Sequence, residues 1–92
     1  MASAKSFKLD YDAAGDVLYI VQCREVATRG VEDSTEIVWR YAENGDLLSA
    51  TVVGFRERWN VQRRPLAKKI ADHFDIPVAE AYEVVMDAFA RP

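Results

Sequence analysis

The apolar residues of this chain change their spacing once, near residue 55, and that single change admits few folds. Upstream they alternate, as they do on a strand with one buried face; downstream they recur every three or four residues, as on a helix packed against something. Strands followed by helices, with no interleaving, define an α+β domain rather than a parallel α/β one.

Residues 6–12 read as the first strand, with Phe7, Leu9 and Tyr11 alternating against Lys8 and Asp10. Residues 13–15 make the turn, where Gly15 is expected to take positive φ without strain. Residues 17–23 return, with Val17, Tyr19 and Val21 on one face and Leu18 and Ile20 on the other. A strand that is apolar on both faces belongs in the centre of a sheet, or beneath helices on one side. Residues 24–33 are polar and broken by Gly30, so they read as a connection, with brief pairing at most over 25–28. A third strand spans 35–41, placing Ile37, Trp39 and Tyr41 on one face. Asn44-Gly45 then predicts a type I′ hairpin turn, with positive φ at both residues, and 47–55 pairs back.

Residues 56–64 read as a polar connection carrying Trp59 and Val61. Pro65 suits the first turn of a helix, where its missing N–H removes nothing. Leu66, Ile70 and Phe74 follow at helical spacing, Asp75-Ile76-Pro77 stops that helix, and Val78, Ala81, Tyr82, Val85 and Phe89 form one apolar stripe on the next. The expected architecture is one α+β domain over residues 1–92. It consists of a four-stranded antiparallel β-meander (6–55) followed by a two-helix hairpin (65–90) packed on the sheet.

Composition narrows the function classes. The net charge of −3 argues against non-specific nucleic-acid binding by the whole chain. The lone Cys23 cannot close an internal disulfide, the first residues lack the apolar core of a secretory signal, and no apolar run spans a bilayer. A cytoplasmic protein without a membrane segment is expected. Charge is divided, however: residues 56–69 hold six basic side chains and one acid, whereas 72–87 hold five acids and no Lys or Arg.

The strand region resembles a small bacterial family called domain of unknown function 2283. The likeness rests on Tyr11-Asp12, Asp16-Val17-Leu18-Tyr19-Ile20, Glu36-Ile37-Val38, Tyr41, Asn44-Gly45 and Leu47-Leu48, and covers about residues 7–55. The chain departs at Arg40 and Ala42, where that family carries acids, and at Ser49-Ala50-Thr51, which stands for Gly-Ile-Glu. The resemblance implies a small β-meander with no catalytic residues, and an antitoxin-like role beside ribonuclease-like toxins.

No motif demands catalysis, a cofactor or a metal. Asp10, Asp12 and Asp16 fall at calcium-loop positions, but Ala14 and Val21 stand where two further ligands belong. His73, the only histidine, sits near a helix C-terminus, where the dipole favours it. Cys23 is the one thiol with which it could form a dyad; both have structural explanations, and an enzyme is not expected. The glycines are isolated, so no phosphate loop exists.

Two function classes remain. In the first, the chain is a non-enzymatic protein-interaction module, antitoxin-like, whose Glu80, Glu83 and Asp87 face a basic partner. In the second, residues 70–85 form a helix-turn-helix of a DNA-binding transcriptional regulator, with Arg63, Arg64, Lys68 and Lys69 touching phosphates. Asp75 in place of the usual turn glycine weighs against that alternative, and so do the acids on the recognition helix. Because a small sheet must protect two edges, a homodimer formed by edge pairing or helix exchange is also expected.

Overall fold

The computed structural model describes residues 7–91. The Ser6 start expected for the first strand lies outside them. Five strands precede three helices among these residues: β1 (Lys8–Asp12), β2 (Val17–Val21), β3 (Arg29–Glu32), β4 (Ile37–Tyr41), β5 (Leu47–Val53), α1 (Phe55–Trp59), α2 (Arg63–Phe74) and α3 (Val78–Phe89). The sheet is antiparallel throughout, in the order β1-β2-β5-β4-β3. The α+β class holds, with helices against one face of the sheet.

Two details of the expected meander change. There is a fifth strand, β3, within the segment read as a connection. It escapes a pattern reading because all four of its residues are exposed, so no alternation marks it. The chain also leaves β2 for the far edge of the sheet and returns through β4, so that β5 fills the centre. The composition of β5 explains this: Ala50 and Val52 are fully buried between Ile20 and Trp39, and Leu18 and Ile37, respectively.

Both hairpin turns differ in part from the expected positive-φ pattern. In the first, Asp16 rather than Gly15 is left-handed, with φ 55°. Gly15 instead supplies room, since a Cβ there would lie 3.3 Å from Asp12 Oδ2. In the second, Gly45 alone has positive φ (94°). Gly45 N–H donates to Ala42 O at 3.0 Å and Ala42 N–H donates to Asp46 O at 2.8 Å. This is a type I turn closed by a glycine bulge, the three-residue solution to the same reversal, rather than type I′.

The core lies between the sheet and the helices. Leu9, Leu18, Ile20, Ile37, Trp39, Ala50 and Val52 meet Phe55, Trp59, Leu66, Ala67, Ile70, Ala71, Phe74, Ala81, Val85 and Ala88. Pro65 sits in the first turn of α2, as expected. The expected connection at 56–64 begins instead as α1, because Gly54 turns the chain out of β5 at φ 69° and Phe55 and Trp59, one helical turn apart, both enter the core. On α3 the buried stripe is Ala81, Val85 and Ala88, while Val78 at its start is 51% exposed.

α2 ends at Asp75, left-handed at φ 59°, with Asp75 N–H and Ile76 N–H both donating to Ala71 O. That position favours glycine, and a carboxylate at a helix C-terminus opposes the dipole. Asp75→Gly is therefore expected to stabilise the fold by about 1 kcal/mol, read as a higher urea midpoint at unchanged slope.

Candidate functional site

The hairpin of α2 and α3 carries every residue singled out for partner or phosphate contact, and the fold treats the two charge sets differently. Three of the four α2 cations contact residues of other elements, and Lys68 makes only an exposed pair within its own helix. Arg63 donates to Asn60 O and Oδ1 at 3.1 and 2.7 Å and lies 4.0 Å over the Phe89 ring. Arg64 lies 4.9 Å over Tyr82. Lys68 pairs with Asp72 at 3.5 Å, one turn along the same helix, and Lys69 pairs with Asp33 at 3.4 Å. Upstream, Arg56 covers Tyr11 and Arg58 pairs with Glu36.

The acids of α3 are less committed. Glu80, Glu83 and Asp87 share one side of the helix by their spacing. Glu83 is exposed and makes no hydrogen bond or ion pair with a described residue. Asp87 pairs with Arg91 at 3.6 Å, both largely exposed, an interaction of small energetic weight. Glu80 is half-buried, and its Oε2 is shielded from solvent without a hydrogen-bond partner among the described residues.

Two carboxylates organise the structure: Asp33, which no sequence motif marks, and Asp16, which stands in the first turn and among the calcium-loop acids. Asp33 accepts from Thr35 N–H, Thr35 Oγ1 and Ile37 N–H at 2.8, 2.7 and 3.2 Å. Its other oxygen accepts from Trp39 Nε1 at 3.2 Å and from Lys69. Burial pushes the carboxyl up, but the Thr35, Ile37 and Trp39 donors outweigh burial and hold it well below the usual carboxylate range. Against the other side of this node, His73 stacks on Trp39 with ring centres 3.6 Å apart and planes 2° from parallel. His73 Nδ1 donates to Lys69 O at 2.9 Å, which assigns its proton to that nitrogen.

Asp16 ties the first turn to α1. Its carboxylate accepts from Tyr11 Oη at 2.6 Å, Arg56 N–H at 2.8 Å and Glu57 N–H at 3.0 Å. Burial pushes Asp16 up, while the Tyr11 hydroxyl and then the two amides draw it below its ordinary value; the same bond pushes the Tyr11 phenol up. The signal for both acids was present in the sequence only as an Asp beside a turn. Their distant partners, Arg56 and Lys69, come from the tertiary fold.

Cys23 and His73 line the same groove, a polar cleft of about 500 Å³ between the end of β2, the β4–β5 turn and the end of α2. No hydrogen bond joins them. The thiol donates to Glu25 Oε2 at 3.5 Å, and the imidazole is committed to Lys69 O and the Trp39 face. A nucleophile and base in hydrogen-bond register, the arrangement covalent catalysis requires, is not assembled here. The calcium-loop acids separate likewise: Asp12 accepts from Ala14 and Gly15 N–H, Asp16 faces α1, and Asp10 lies on the opposite face of β1 from Tyr11. Among the described residues no three His, Cys, Asp or Glu side chains converge as a metal site, and no helix is long and apolar enough to cross a membrane.

Comparison of the chain with protein-family models, with curated proteins and with solved structures yields no match.

Proposed function

We propose that this chain is a non-enzymatic protein-interaction module that docks a small basic protein on the acidic side of α3, as an antitoxin would. The resemblance of residues 7–55 to domain of unknown function 2283 points the same way. The observation that carries the reading is the division of charge on the hairpin: Arg63, Arg64 and Lys69 are engaged by other elements of the fold, whereas Glu83 projects unpaired and Asp87, like Lys68, is held only by an exposed ion pair four residues along the chain. A helix presenting one unpaired and one weakly held carboxylate steers and registers a cationic partner.

The test is capture from nuclease-treated lysate of the source cell with tagged wild type and with Glu83→Lys/Asp87→Lys. A small basic protein retained stoichiometrically by wild type, and at least about tenfold more weakly by the variant, with the circular dichroism spectrum unchanged, is the expected result. Equal retention by the variant would sink the acidic-face reading. Salt-dependent binding of duplex DNA, lost in Lys68→Glu, would replace it with the regulator reading; Lys68 is the cation to change because Lys69 holds Asp33 in place.

A further inference from the structure

The helices cover one face of the sheet, and the other face mixes apolar side chains with charged ones. By the two-residue period of a strand, Lys8, Asp10 and Asp12, then Val17, Tyr19 and Val21, Ser49, Thr51 and Val53, Val38 and Arg40, and Glu32 point away from the core. Tyr19 is 40% and Val53 38% exposed. None of these side chains joins the core cluster or packs against it. Tyr19 and Val21 on β2 and Val38 on β4 flank the hydroxyls of Ser49 and Thr51 on the central strand, and Lys8, Asp10, Asp12 and Glu32 lie on the two edge strands. Apolar and hydroxyl side chains inside a charged rim are the mixed composition of a non-obligate interface.

The sheet register says what can cover this face. Across the strands, one row reads Lys8, Val21, Ser49, Arg40 and Gly30; the next reads Asp10, Tyr19, Thr51, Val38 and Glu32. One row is thus basic and its neighbour acidic. We propose that a second copy of this chain covers the open face, related by a two-fold axis that runs across the strands between these two rows. That operation lays the basic row of each copy over the acidic row of the other. Lys8 then meets the other copy's Asp10, Arg40 lies beside its Glu32, and Tyr19 rests over its Val21. A shallow depression of about 290 Å³ lined by Lys8, Asp10, Tyr19, Val21 and Arg24 lies where the incoming Tyr19 falls. The other face-to-face two-fold, parallel to the strands, sets Asp10 over Glu32 and Lys8 beside Arg40, like on like.

The sheet edges do not offer the alternative route expected from the sequence. β3 is a short edge strand bearing Arg29 and Glu32, and β1 presents Lys8, Asp10 and Asp12, the devices that discourage edge pairing. Five strands at ~4.8 Å spacing and five residues at ~3.3 Å rise give a face of about 400 Å² per copy. Twice that area falls below the ~1,200–2,000 Å² of stable complexes, so the dimer is weak, with a dissociation constant on the order of 10–100 µM.

Sedimentation equilibrium from about 5 to about 500 µM reads this directly. Wild type is expected to pass from monomer to dimer across that range. Tyr19→Glu and, independently, Thr51→Arg on the central strand are expected to hold the chain monomeric with an unchanged circular dichroism spectrum. Lys8→Glu and Asp10→Lys should each weaken association several-fold, and the double exchange should restore it, because the two-fold pairs these residues between copies. A wild type that stays monomeric to the top of the range overturns the proposal. A dimer indifferent to both Tyr19→Glu and Thr51→Arg overturns it too, since another surface must then be in use. Failure of the charge exchange to restore association overturns the stated register.

Discussion

Asp33→Ala is expected to destabilise the fold by about 3 kcal/mol. The carboxylate gathers five donors: two from Thr35, one from Ile37, the Trp39 indole and the Lys69 ammonium. Hydrogen bonds to a charged group are worth about 1.5–3 kcal/mol each in isolation, but these share one acceptor and are not additive. The indole is the decisive donor, because Trp39 is 1% exposed and water cannot readily replace the lost oxygen. The effect depends on pH with a definite sign. The folded carboxyl titrates well below its ordinary value of 3.8. Its stabilisation is therefore complete above the unfolded pKa, near 4, and is lost as the pH falls from there through the folded value. Urea unfolding of wild type and variant at pH 7 and near pH 3 is expected to show the gap narrowing at the lower pH. A constant gap would mean that Asp33 acts by shape and not by charge.

Phe55→Ala is expected to cost about 4 kcal/mol, enough to leave a domain of this size marginal. Phe55 is fully buried, its ring 4.2 Å from Phe89 of α3 and edge-on to Tyr11 of β1 at 5.8 Å. Its backbone N–H donates to Asp16 O. One residue thereby joins the first hairpin, the start of α1 and the last helix. Phe55→Leu keeps most of the buried area and should cost less than half as much, about 1–2 kcal/mol. Equal losses for the two would show that the aromatic contacts, rather than the volume, carry the energy. Chemical unfolding followed by Trp39 and Trp59 fluorescence gives both values.

Much of the fold was legible residue by residue. Leu18 and Ile20 against Val17, Tyr19 and Val21 announced a strand with helices on one side, and the structure has β2 there. Leu66, Ile70 and Phe74 announced α2, and all three are buried. β3 was not legible, because an exposed edge strand has no face to alternate. α1 was hidden because one turn offers a single pair, Phe55 and Trp59, too few to establish a period. The turn residue also moved: Asp16 rather than Gly15 is left-handed, and its carboxylate caps α1 from across the fold, an arrangement that spacing along the chain does not encode.

The candidate surface divides in the same way. The acids Glu80, Glu83 and Asp87 and the cations Arg63, Arg64, Lys68 and Lys69 were visible as charge patterns along two helices. Which of them remain free depended on side chains far away in the chain: Asp33 takes Lys69, and Phe89 and Tyr82 take the two arginines.

The α+β class, the placing of strands before helices and the buried faces of β2 and α2 were readable from the residues alone, because periodicity and burial are local properties of a chain that must place its apolar side chains in one core. The tertiary structure alone decided the strand order, the partners of Asp16 and Asp33, and the alignment of a basic row beside an acidic row on the open face. Those depend on register between strands that are distant in sequence, and register is settled only when all the side chains of the core pack together.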